Sequence, residues 1–286
     1  MKLANLALMS ALALTFSTIG CAVKHQDDSE GDLSTSEAQL VSDSEEASDT
    51  DDELESGLDE PLSGANDSDP GTPPDAADDA DLMTKERTNP GSFFRPAGCL
   101  TTTVSGNTVT RVFDDCTGPY GFVHLTGTIV STYTREAGKL TVTHDTTGFK
   151  INGATVTGTR TVVYTRSGTV VTRHRTGDWT GTTGKGNAIA HTADYTMTWD
   201  SASKCITRDG NSTTTIGGRE FTASVTGYER CGIGSLGCPN GGKIVLSRTK
   251  GGDTAVVTVE FLGGAAYRVT RPSGVQVTRR LLCRAS

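Results

Sequence analysis

From Ser92 to Cys283 apolar and polar residues alternate in short runs. Leu140, Val142 and His144 are separated by Thr141 and Thr143, and Val123, Leu125, Ile129 and Tyr133 share one parity. A period of two sends successive side chains to opposite faces, so these runs predict β-strands with one face buried. Threonine suits such strands, because its branched Cβ is stiff in extended backbone while its hydroxyl stays in water. Glycine-bearing dipeptides punctuate the runs at Gly106-Asn107, Ala137-Gly138, Asn152-Gly153, Ser167-Gly168, Gly217-Gly218, Gly241-Gly242, Gly251-Gly252, Gly263-Gly264 and Ser273-Gly274. Each can supply the positive φ of a tight hairpin turn. Connections this short leave no room for crossover helices, which makes the sheet antiparallel. The pattern predicts an all-β fold over residues 90–286, an antiparallel meander forming a sandwich or a partly closed barrel.

The alternation stops before residue 90. Lys2 precedes an apolar or small-residue run from Leu3 to Thr18, and Thr18-Ile19-Gly20-Cys21 closes it. A basic start followed by about 15 apolar positions is too short to span a bilayer and suits a signal peptide. Residues 1–20 are therefore expected to be removed, and Cys21 is the expected lipidation site, its thiol carrying a thioether-linked diacylglycerol. Simple secretion with cleavage near the same place is the competing reading. Two acyl chains hold a protein on a membrane durably, so the membrane is an expected partner through this N-terminal anchor. Ala22, rather than Asp, after the cysteine favours the outer membrane, facing the periplasm or the cell surface.

Charge divides the chain at the same place. Residues 1–90 carry 22 of the 34 acids against Lys2, Lys24, Lys85 and Arg87, a net −18, and the remainder carries 22 bases against 12 acids, a net +10. Residues 21–89 thus read as an acidic linker behind the lipidated cysteine. From Asp27 to about Thr88 the composition is Asp, Glu, Ser, Ala and Gly with several prolines, which predicts disorder, since too little apolar surface is available to offset the ordering entropy. A coil of about 65 residues spans roughly 45 Å. A basic domain on an acidic tether has three candidate partners: nucleic acid, anionic glycans and the tail itself. No nucleic acid is expected, because the bases are scattered singly along strands without interleaved aromatics. Arg173, Arg175 and Arg279-Arg280 are the densest spots, and solvated strand faces account for them.

Six cysteines fall in the β region. An even number in an exported chain predicts disulfides. A turn at Gly217-Gly218 brings Cys205 within one register position of Cys231, and Cys99 and Cys116 flank the turn at Gly106. The expected set is Cys99-Cys116, Cys205-Cys231 and Cys238-Cys283, and the rival set joins Cys231 to Cys238. Zinc at Cys231 and Cys238 has no CxxC knuckle to support it.

The run Phe149, Ile151, Asn152-Gly153, Val156 and Gly158-Thr159-Arg160-Thr161-Val162, with Asp114-Asp115-Cys116 before it and spaced cysteines after it, resembles a strand-turn-strand signature of uncharacterised bacterial lipoproteins. In these a cysteine-anchored, Thr-rich β domain follows the signal peptide. The resemblance covers most of residues 95 to 283. It implies an envelope location and brings no catalytic residues.

Catalytic signatures are missing from the sequence. Gly234-Ser235-Leu236-Gly237 lacks the first glycine of a nucleophile elbow, and Gly184-Lys185-Gly186 is no phosphate loop. One metal constellation depends on register. If the loop Gly181 to Gly186 closes a symmetric hairpin, Thr176 faces His191, His174 and Asp178 lie diagonally on the same side, and Arg173 faces Asp194. A one-residue slip moves His191 to the other face and destroys this site. His124 and His144 share parity with apolar neighbours and read as hydrogen-bonded strand residues. Trp179 and Trp199 are core residues or sugar-stacking platforms. The expectation is a non-enzymatic envelope lipoprotein with a structural or binding role and no cofactor, its partner an envelope protein or a glycan and its oligomeric state open. The alternatives are a glycan-binding module, which needs exposed tryptophans, and a metal-dependent hydrolase, which needs His174, Asp178 and His191 together.

Overall fold

The computed structural model describes residues 34–44, 46, 47, 50, 94–118, 123–231, 238–250 and 253–280. The expected signal segment, Cys21, residues 51–93 and Cys283 lie outside them. Strands occupy Leu100–Ser105 (β1), Thr108–Thr117 (β2), His124–Glu136 (β3), Lys139–Ile151 (β4), Ala154–Ser167 (β5), Val170–Thr182 (β6) and Ala188–Asp200 (β7). The chain continues through Cys205–Ile216 (β8), Arg219–Cys231 (β9), Gly241–Lys250 (β10), Asp253–Gly263 (β11), Ala266–Thr270 (β12) and Gln276–Arg280 (β13). Each strand pairs antiparallel with its chain neighbours in one sheet ordered β1 to β13, open rather than closed into a barrel. This is the predicted meander.

Most turns fall where the glycine dipeptides predict. Ser105 pairs with Thr108, Glu136 with Lys139, Ile151 with Ala154 and Ile216 with Arg219. Gly241-Gly242 is a correction, because it lies inside β10. There Gly242 has φ 110° within a register shift, and a Cβ on it would come 2.3 Å from the Tyr228 Cα. The residue permits close approach of two strands instead of a turn.

Register shifts between Phe113 and Cys116, Thr126 and Thr128, and Thr146 and Phe149 sit side by side across β2 to β5. A bulge bends its strand and increases local twist, so neighbouring bulges bend the sheet together. They also reset the parity. β4 buries Leu140, Val142 and His144 before its bulge and Phe149 and Ile151 after it. The inner face is consequently layered along the strands. At one end Val109, Tyr133, Leu140, Val142, Val162 and Tyr164 form an apolar cluster. At the other, a larger cluster takes residues from β2 to β12, among them Phe113, Phe149, Trp179, Ile216, Phe221 and Val257. Gly158 faces Trp179, and a Cβ there would lie 2.5 Å from the Trp179 Cα, so only glycine fits.

The acidic stretch departs from the expectation of disorder. A helix, α1, covers residues 35–44, 46, 47 and 50. Ser34 caps it: the Ser34 amide donates to Glu37 Oε2 at 2.7 Å and the Glu37 amide donates to Ser34 Oγ at 3.3 Å. This reciprocal capping box satisfies donors that a helix start otherwise leaves open. Leu40 is fully buried in the larger core cluster with Ala47, and Val41 packs against them. Tertiary packing of that short stripe supplies what composition alone does not. Among the described residues no helix is long and apolar enough to cross a membrane.

Candidate binding site between the acidic helix and the sheet

Buried charge is segregated in this structure. Among the described residues the buried carboxylates are Glu37, Asp43 and Glu46, all on α1, and the buried arginines are Arg111, Arg160, Arg173, Arg175, Arg230 and Arg248, all on strands. Arg173 and Arg175 therefore correct the expectation of a solvated face. In β6 they share parity with Val171 and Trp179, which point to the core. Aromatic rings house them: the Arg173 guanidinium lies 5.9 Å from the Tyr164 ring centroid, and those of Arg175 and Arg208 lie 5.2 and 4.3 Å from that of Tyr195. A planar, weakly hydrated guanidinium tolerates such stacking far better than an ammonium does. Arg279 and Arg280 are exposed, as the solvated-strand reading has them.

Asp43 is the centre of the helix contact. Its side chain is 2% exposed, and it accepts hydrogen bonds from Arg219 Nε at 2.8 Å, Arg219 Nη2 at 2.9 Å and Arg248 Nη1 at 3.1 Å. Arg248 Nη2 also donates to the Ser36 carbonyl at 2.8 Å. The fork of Arg219 on one carboxylate is the strong bidentate form of this contact. One turn further, Glu46 accepts from the Thr183 hydroxyl and from Asn187 Nδ2 at 2.9 Å, with Lys185 Nζ at 3.5 Å. Burial by itself would raise the Glu46 pKa, but the bonds from Asn187 and Thr183 and the charge of Lys185 hold it below its usual value. Thr183, Lys185 and Asn187 belong to the β6–β7 connection, and Arg219 follows the β8–β9 turn. α1 thus lies across the end of the sheet where these turns gather.

The metal constellation does not assemble. Thr176 faces Asp194 and Trp179 faces His191, three positions away from the expected register. The β6–β7 connection runs from Thr183 to Asn187, further along the chain than Gly181 to Gly186, and this displacement shifts the pairing. An odd shift puts His191 on the inner face, where its ring lies 5.2 Å from that of Trp179 and its Nδ1 2.8 Å from Thr214 Oγ1. His174 stays on the outer face, 2.8 Å from Asp194 Oδ1, and the expected Arg173–Asp194 pairing is replaced by Arg173 opposite Met197. Trp179 and Trp199 are buried, which places both in the core. His124 departs from its expected apolar face, because the register gives that face to Leu125; His124 is exposed, with Nδ1 3.3 Å from Thr117 Oγ1.

Two expected disulfides are present, Cys99–Cys116 and Cys205–Cys231. Cys238 is disulfide-bonded as well, while its expected partner Cys283 lies outside the described residues. Cys205, Glu229 and Cys231 cluster at metal-ligand spacing, yet the disulfide leaves no thiolate there to bind one.

The sequence signals for α1 were the Ser34-Thr35-Ser36-Glu37 capping box and the apolar Leu40, Val41 and Ala47 after it, overridden by the acidic composition around them. No family model matches the chain, and no curated protein or solved structure matches it.

His144 reports the electrostatics of the inner face. It is buried, with Nδ1 2.8 Å from Ser131 Oγ. Burial pushes its pKa well below 6.5, and the charges of Arg160, Arg111 and Arg173 push it further. In the unfolded chain the imidazole takes a proton near pH 6.5, and in the fold it stays neutral. The unfolded state therefore binds more protons below that pH, and stability falls as the pH drops. The His144→Gln chain is expected to lose less stability between pH 7 and pH 5 than the wild type, by up to about 1.4 kcal/mol per pH unit below the unfolded pKa. Urea unfolding across that range checks it, and equal slopes would contradict it.

Proposed function

We propose that this chain is a cell-envelope lipoprotein whose β domain binds acidic amphipathic helices. The segregation of buried charge carries the binding reading. Six arginines turn inward on one sheet, the only buried carboxylates among the described residues lie on a helix, and one of them, Asp43, takes hydrogen bonds from the buried Arg248 and from Arg219. The helix also specifies the ligand class. Leu40, Asp43 and Glu46 are spaced i, i+3, i+6 along one face, an apolar anchor followed by two carboxylates, and helix-in-groove recognition reads such spacings. The anchor at Cys21 rests on the apolar segment that Cys21 closes and on the resemblance to bacterial lipoproteins, and the outer-membrane location rests on Ala22 after it.

The glycan reading loses its stacking platforms, because Trp179 and Trp199 are buried. The hydrolase reading loses its ligand set, because His174 and His191 lie on opposite faces.

In the Asp43→Arg chain the resident helix meets two like charges and its site is vacated. A synthetic peptide of residues 34–50 is expected to bind this chain, and the same peptide with Asp43→Asn to bind at least about tenfold more weakly, the loss of one charge-assisted contact. Calorimetric titration reads both; equal affinities or no binding by the native peptide would sink the binding reading. For the anchor, mass spectrometry of the N-terminus from native membranes is expected to find a diacylated Cys21. An unmodified chain starting at Ala22 would contradict it.

A further inference from the structure

We propose that the α1 site is also an inter-chain site, in which α1 of one copy docks on the sheet of a second copy through the same contacts. This rests on the binding reading and names its partner, a second copy of this chain.

Three observations carry it. The polar contacts that hold α1 on the sheet join residues far apart in sequence, from 137 positions for Glu46 with Thr183 to 212 for Ser36 with Arg248. Local chain geometry therefore imposes nothing on the docking. Residues 51–93 join α1 to the sheet, and a chain of that length reaches up to about 150 Å, far enough to serve a neighbouring domain. Finally, the interface is complete within α1 itself. Asp43 supplies the carboxylate for Arg219 and Arg248, Glu46 that for Asn187 and Lys185, and Leu40 the apolar anchor. A site satisfied by these side chains cannot distinguish its own helix from an identical one.

Exchange between two copies keeps every contact and leaves no site empty, the low-cost route to a twofold dimer. The tethered helix competes at an effective concentration of about millimolar. Dilute wild-type chain is therefore monomeric. Exchange emerges where copies are held together at comparable density, as on one membrane.

Two full-length variants separate the arrangements. Asp43→Arg ejects the resident helix and leaves the sheet site intact, whereas Arg219→Asp with Arg248→Asp leaves the helix intact and disables the site. Neither can close on itself, but the helix of the second fits the site of the first with native contacts. Sedimentation at about 100 μM is expected to show a monomer for each alone and a doubling of mass on mixing, because this concentration exceeds the Kd of a micromolar contact. Arg219→Gln with Arg248→Gln, which keeps side-chain length and polarity, is mixed in parallel in case the acidic pair impairs folding. Monomers persisting in both mixtures would overturn the inter-chain site, as would a dimer of Asp43→Arg alone. If the peptide of residues 34–50 still binds Asp43→Arg while the chains fail to associate, only the inter-chain inference fails; if the peptide also fails, the binding reading goes with it.

Discussion

The carboxylate of Asp43, shared between Arg219 and Arg248 beneath α1, is the contact on which the rest of the arrangement depends. An ionised group out of water is costly unless it is paired and hydrogen-bonded. Here three guanidinium nitrogens converge on two carboxylate oxygens, and the second nitrogen of Arg248 finds the Ser36 carbonyl. Neither partner stands well without the other. Removing one member of such a pair leaves the other buried and uncompensated, typically at a cost of about 3–5 kcal/mol.

That contact gives a reason for the division of charge along the chain. A strongly acidic first third and a basic β domain read in isolation as a spacer and a module. In the fold a section of the spacer becomes part of the module, because Asp43 of α1 reaches Arg219 and Arg248 and Glu46 reaches Lys185. Strand alternation is what makes this possible. In β5 and β6 threonines take most outer positions, and the inner positions hold apolar residues together with Arg160, Arg173 and Arg175, the last two near tyrosine rings. Burial, reinforced by the charges of Arg160, Arg111 and Arg173, keeps His144 neutral. Acidic α1 meets this domain through Arg219, Arg248 and Lys185.

Much of the fold was legible from local rules. Glycine dipeptides located most hairpins, and register counted from Gly217-Gly218 placed Cys205 one position from Cys231; a shift between Arg208 and Gly210 absorbs that position and sets the two directly opposite. The failures share a physical cause, since each depended on long-range context. The β6–β7 turn is centred on Lys185, because Gly181 belongs to β6 rather than to the turn, so His191 changed face. Arg173 and Arg175 looked solvent-facing because arginine usually is, and only the curl of the sheet and the tyrosines beside them make burial tolerable. α1 was obscured by composition: its capping box and Leu40 were present, but the surface that stabilises them lies more than a hundred residues downstream.

A double-mutant cycle on Asp43→Ala and Arg248→Ala, read by chemical denaturation, tests the central claim most directly. If the buried pair joins helix to sheet, the two substitutions couple by about 1.5–3 kcal/mol, the double variant being far less destabilised than the two single losses combined. Additive losses, with coupling below about 0.5 kcal/mol, would contradict the account.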